Sequence, residues 1–271
     1  MKKLSILLVG LITFWACDSD VERRLSTDLQ VEGTELFNIS LAFEESLYFA
    51  LLTLEDYRVA QRDSLPLPGC PKLSVDLEAS QVQLTFEANP ACESRKLDRK
   101  GTIVIDFVRN TLTESRKVLS YENYSFKNLT LNGERTFLTA RNGSPNSIME
   151  NFESVQLTNA RGSSSRISGT FSHQLQLSNR QLMGFTSIGQ LTGINTVGRN
   201  FSMEQTTPRQ YSVSCLQAGH ILSQQGVERW TISRGQNSPA VNHTMVFEFV
   251  ETCVGRANLA LSDGRVLVFS L

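Results

Sequence analysis

Histidines, carboxylates and cysteines carry most of the chemistry open to this 271-residue chain. The three histidines, His173, His220 and His243, are scattered, and none shows the His-x-x-His or Glu-x-x-His spacing of a helical metal site. No Gly-x-Ser-x-Gly elbow occurs; Gly162-Ser163-Ser164-Ser165 lacks the second glycine and reads as a hairpin loop. A triad can assemble from distant segments, but each histidine here reads as an ordinary polar strand or loop residue. Paired carboxylates could serve glycoside hydrolysis. Glu87 and Glu248 are the best candidates, yet they hold matching places on two similar strands, which argues for a shared structural job. Phosphate-cradling Gly-rich loops and calcium-type Asp-x-Asp-x-Asp loops are missing from the sequence. The expectation is therefore no catalytic residue, no metal and no cofactor. Tyr121, Tyr124 and Trp230 are the aromatic candidates for a ligand-binding sheet face, with the two tyrosines expected on opposite faces of one strand.

The five cysteines are Cys17, Cys70, Cys92, Cys215 and Cys253. No two are spaced as Cys-x-x-Cys and no histidine lies near, so zinc is not indicated. In an oxidising compartment four would pair and one would remain. Four cysteines allow three pairings. Residues 81–108 and 244–271 share a plan: an aromatic-acidic strand, a cysteine just after it, then a further strand. Cys92 and Cys253 hold equivalent places in the two, with Cys70 and Cys215 upstream. One bridge per repeat, Cys70–Cys92 and Cys215–Cys253, is the economical choice.

The leftover Cys17 closes a short leader. Lys2 and Lys3 precede the apolar run Leu4–Trp15, which is too short to span a bilayer as an anchor and reads as a secretory signal. Ala16-Cys17 followed by a polar stretch resembles a bacterial lipobox, in which the cysteine is acylated and becomes the mature N-terminus. An ordinary secreted protein cleaved nearby is the other reading. Two or three acyl chains on one residue give stable anchorage. Residues 1–16 are thus read as signal peptide, 17–38 as a lipid-anchored tether and 39–271 as a β-rich domain, with the repeat at about 70–108 and 215–271. The formal charge of −1 becomes about −3 once Lys2 and Lys3 are removed. With no basic run anywhere, nucleic acid is not an expected partner.

The elements that must position these residues follow from periodicity. Phe43, Leu47, Leu51 and Leu54 fall at helical spacing, with Glu44 and Glu45 early and Arg58 and Arg62 late, predicting one substantial helix that covers a face or end of a sheet. The Pro66–Pro71 cluster ends it. After Pro71 the pattern is alternating almost throughout. Strands are predicted at, among others, 81–86, 103–107, 118–126, 166–177, 182–191, 199–206, 210–216, 221–224, 228–233 and 245–250, and turn pairs such as Asn132-Gly133 and Asp263-Gly264 punctuate the pattern. The fold class is mainly β: an antiparallel meander, curled into an open barrel or folded as a sandwich, with one N-terminal helix. Few aromatic residues are available to form membrane girdles, which argues against a membrane-spanning barrel.

The order of these features, lipobox cysteine, helix, Cys70-Pro71, Phe86-Glu87, Cys92, Arg99-Lys100-Gly101, Tyr121-Glu122-Asn123-Tyr124 and Leu131-Asn132-Gly133, resembles an uncharacterised family of cell-envelope lipoproteins from Bacteroidota. The resemblance implies an envelope lipoprotein of β architecture and transfers no activity; the expected location is the cell envelope, lipid-anchored at the outer membrane, on either its periplasmic or its surface face. Asp63-Ser64-Leu65 resembles the pattern on which these bacteria attach O-glycans, making Ser64 a modification candidate. The functional expectation is a non-enzymatic structural or binding role, with an envelope protein or glycan as partner. The alternatives are a carrier of an acyl or glycan ligand on a curved sheet, and a hydrolase with carboxylates on the sheet.

Overall fold

Among the described residues, fourteen strands form one antiparallel sheet, laid down almost entirely in chain order. The structure is a computed structural model that describes residues 18–87, 97–109, 114–140, 146–235 and 238–271, with side chains from residue 29 onward. The strands are β1 (Lys72–Asp76), β2 (Gln81–Phe86), β3 (Lys100–Arg109), β4 (Glu114–Phe126), β5 (Leu129–Asn132), β6 (Glu134–Ala140) and β7 (Ser147–Thr158). They continue with β8 (Ser164–Ser178), β9 (Gln181–Ile194), β10 (Asn200–Ser212), β11 (Gln225–Ile232), β12 (Val241–Glu251), β13 (Val254–Ala260) and β14 (Val266–Ser270). β5 and β6 share one lane between β4 and β7, interrupted at Gly133, whose φ of 125° only glycine adopts without strain. β1 and β14 do not pair, so the sheet is curled but open. Of the two architectures expected, the open, curled meander is the one found.

The curl encloses a helix. α1 spans Asp18–Glu45, α2 Leu47–Leu51 and α3 Leu54–Arg62, while α4 (Val213–Gln217) is a single turn after β10. From Leu36 to Leu52 nearly every residue is buried, whichever way its side chain points. A helix buried on all sides must be surrounded, not laid on a surface. Phe37 stacks on Phe269 at 4.2 Å and Phe43 on Phe152 at 4.5 Å, joining the helix to strands far apart in the sheet. At Gly33 α1 lies tight against the β13–β14 region: a Cβ there would lie 2.8 Å from Leu259 and 2.9 Å from Leu267.

Several expectations are corrected. Residues 32–38, assigned to the tether, are helix packed inside the sheet, with Glu32, Leu36 and Phe37 buried. Glu44 and Glu45 stand at the end of α1, not near the start of a helix. The dipole expectation applies instead to α3, where Thr53 and Asp56 form a reciprocal capping box and Arg62 lies in the last turn. The predicted strands 199–206 and 210–216 are one strand, β10, whose last predicted residues are α4, and residues 221–224 form no strand.

Bulges explain the departures from simple alternation. In β4, Leu119 and Tyr121 point inward, and so do Tyr124 and Phe126, because Asn123 takes a φ of 49° and inserts one extra residue. A register shift opposite it falls between Lys100 and Thr102. β7 changes parity the same way at Ser154, φ 54°, so that Phe152 and Val155 are both buried.

Candidate functional site

The carboxylates of α1 dictate the chemistry of the interior, because burying a charge demands a partner. Near the end where α1 enters the sheet, Glu32 receives a bidentate pair from Arg234, at 2.6 and 2.7 Å, and a contact from Arg199 at 3.3 Å. His243 Nε2 lies 3.0 Å from Glu32. The backbone N–H of Ser262 donates to His243 Nδ1, which leaves Nε2 as the ring's donor to the carboxylate. Burial raises the Glu32 pKa, but His243 and Arg234 more than reverse this and hold it below the usual value. Glu35 accepts from the Ser165 hydroxyl and from both the amide and the hydroxyl of Thr196, all within 3.0 Å.

Deeper in, two arginine clusters flank a small cavity. Arg135 on β6 donates to Glu150 at 2.6 Å, to Ser46 at 2.8 Å and to Tyr121 at 3.2 Å, and lies among the rings of Phe43, Phe137 and Phe152. His173 Nε2 meets the other oxygen of Glu150 at 2.9 Å. Arg209 on β10 donates to Glu228 at 2.6 Å, to Ser40 at 3.0 Å and to Ser223 at 2.6 Å, and also contacts Glu44. The Trp230 indole donates to the second oxygen of Glu228 at 3.1 Å. One guanidinium cannot offset two buried carboxylates equally. Burial, with the Glu228 charge adding to it, pushes Glu44 up to about 8 despite Arg209. Glu150, by contrast, is pushed up by burial but pulled below its usual value by Arg135 and His173.

The cavity between the clusters is lined by Glu44, Glu150, His173, Ser187, Gln205 and Glu228 among others, and has a volume of about 20 Å³. That is room for one water molecule. Glu44 Oε2, His173 Nδ1 and Gln205 Oε1 have no protein hydrogen-bond partner, which suits a bridging water. A third arginine, Arg99, contacts Glu45 and donates to its backbone carbonyl at 3.2 Å, while Tyr124 donates to the same carboxylate at 2.5 Å. Lys117 donates to the carbonyls of Ala50 and Leu52, closing the end of α2. Its burial pushes the ammonium down to about 8, against the opposing charge of Asp56.

The residues expected at a site therefore have other places. Tyr121, Tyr124 and Trp230 are all buried, and the two tyrosines share the inner face with rings 5.6 Å apart, so they form no solvent-exposed platform. Glu248 points outward and is held below its usual value by hydrogen bonds from Arg256 and Asn258, with Arg256's charge adding. Glu87 follows β2, near the opposite edge of the sheet from β12, and the two carboxylates do not meet. His220 is a loop residue as expected, but His173 and His243 belong to buried charged clusters. Cys215 and Cys253 form a disulfide that ties α4 to the β12–β13 turn, as the repeat predicted. Cys70 is also disulfide-bonded; its expected partner Cys92, like Cys17, lies outside the described residues. Ser64 is exposed just after α3. No group of three or more metal-ligating side chains exists among the described residues.

A second, larger space opens at the end of the sheet where α1 enters. It measures about 740 Å³ and lies between α1 and the turns following β4, β7 and β9. Leu129, Leu157 and Val31 supply its apolar surface, and Lys127 and Arg161 its cations. Nothing in the sequence signalled this groove, because its walls come from four segments with no common motif. No protein-family model matches the chain, and no curated protein or solved structure is similar to it.

Proposed function

We propose that the protein is a lipid-anchored cell-envelope protein, tethered through Cys17, whose role is to bind and not to catalyse. The observation that carries the binding reading is the contrast between its two spaces. The interior holds titratable groups suited to proton transfer, but at about 20 Å³ its cavity admits water and no substrate. The groove beside α1 has the volume of a small-molecule site. The carboxylates of α1 from Glu32 to Glu45 each contact a strand side chain or turn amide, which is an arrangement for holding a scaffold fixed. No helix among the described residues is long and apolar enough to cross a membrane. The anchor is thus assigned to acyl chains, on the strength of the Lys2–Cys17 leader.

Membrane fractionation with intact-mass analysis of the native protein tests the anchor. The expected result is a mature N-terminus at Cys17 carrying acyl mass, and release of a Cys17→Ala variant from the membrane fraction. An unmodified Cys17 would overturn it. Binding without turnover is tested separately, through the groove.

A further inference from the structure

Among the described residues, the groove beside α1 has both polar and apolar lining, and two cations stand against one carboxylate. Glu35 is the carboxylate among its lining residues, and that group is saturated by Ser165 and Thr196. Lys127 and Arg161 make no ion pair among the described residues. Lys127 is partly buried, and that burial lowers its pKa. An ammonium drawn out of water without a counter-charge is an uncompensated cost that a bound anion would offset. The apolar lining residues are Leu129 and Leu157, both buried, and Val31, which is 59% exposed on α1. No aromatic ring lines the groove, so the stacking platform that a sugar ring favours is missing among the described residues. Asn38, Asn128 and Asn159 add amides to the lining.

We infer that this groove takes an amphipathic anion, a carboxylate or phosphate head joined to an apolar chain, with the head held by Lys127 and Arg161 and the chain laid over Leu129, Leu157 and Val31. Shape, charge and the apolar lining agree on this class. A small inorganic anion would leave the apolar lining uncovered, and an uncharged lipid would leave the two cations unpaired. This inference rests on the binding reading above but not on the anchor at Cys17.

Titration calorimetry of the purified protein with decanoate, decanol and inorganic phosphate tests it. Decanoate is expected to bind at one site, and decanol and phosphate at least about tenfold more weakly, the equivalent of one charge-assisted contact or one covered apolar face. A Lys127→Gln, Arg161→Gln double variant is expected to lose about tenfold in decanoate affinity without a fall in its unfolding midpoint, since neither side chain makes an ion pair among the described residues. Decanoate failing to bind, decanol binding equally well, or an unaffected double variant would each overturn the assignment. Flotation with phosphatidylglycerol against phosphatidylcholine vesicles identifies the source of the head. Preference for the anionic vesicles points to a membrane lipid; equal flotation together with decanoate binding points to a free acid. Because decanoate binding does not read Cys17, failure of the ligand and failure of the anchor are distinguishable.

Discussion

Arg209 on β10 bonds to Glu228 at 2.6 Å and at the same time contacts Glu44 on α1, so one buried guanidinium serves two buried carboxylates. The second carboxylate makes stability depend on pH.

Glu44 has a folded-state pKa of about 8 against an ordinary 4.5. Between those values the folded protein holds a proton that the unfolded chain has released, so the associated stability is full below pH 4.5 and lost as pH rises through 8. Lys117 acts in a different window. Its ammonium is depressed from 10.5 to about 8, so it destabilises the fold below pH 8 and the penalty is relieved toward pH 10.5. Glu32 and Glu150, both depressed, contribute stability that is full above pH 4.5 and is lost as pH falls from there through their lowered values. Urea unfolding of the wild type is expected to show stability declining from pH 5 to pH 8 by about 2 kcal/mol or more. Glu44→Gln should flatten that decline. An equal decline in the variant would refute the assignment.

Arg135→Met is expected to destabilise the protein by about 3–5 kcal/mol, because it leaves Glu150 buried with only His173 for company. Adding Glu150→Leu should recover part of the loss, since an apolar pair is tolerated better than an orphaned charge. Denaturant midpoints of the single and double variants decide it; no recovery would mean that Arg135 acts through packing alone.

Gly101 and Gly162 both have positive φ, 86° and 79°, but different surroundings. A Cβ at Gly101 would meet the backbone oxygen of Asn123 at 2.2 Å, inside the β3–β4 bulge, whereas a Cβ at Gly162 would meet nothing within 4 Å. Gly162→Ala is expected to cost about 1 kcal/mol from backbone conformation alone, and Gly101→Ala about 3 kcal/mol or more. Thermal melts of the two variants make the comparison. Equal losses would show that the strand pair gives way at little cost.

The Cys215–Cys253 bridge spans 38 residues of sequence. Replacing both cysteines by serine is expected to remove roughly 3–4 kcal/mol, through the freedom restored to the unfolded chain. The loss should match that produced by reduction of the same bridge.

Much of the sheet is legible in the sequence. Val82, Leu84 and Phe86 alternate with polar neighbours and do face the helix, and the late cysteines pair as their place in the repeat implied. The helix was harder to read. Residues 32–38 look polar because Glu32 and Glu35 are there, yet those acids find their partners in Arg234, His243 and Thr196, more than 160 positions away. Periodicity is a local signal and carries no record of such partners. Tyr121 and Tyr124 were separated onto two faces by strict alternation, which a one-residue bulge at Asn123 overrides. The groove escaped notice for a related reason: Lys127 and Arg161 are ordinary surface residues until α1 is laid beside them.

With β1 and β14 unpaired, no seam of hydrogen bonds fixes how tightly the sheet is rolled. Its radius is dictated by the girth of what it is wrapped around, the Leu36–Leu52 stretch, in the way a loosely rolled sleeve takes the width of the arm inside it. Thinning that stretch with alanines would draw the two margins together, and thickening it would spread them, so the bulk of one helix governs the outline of the whole molecule.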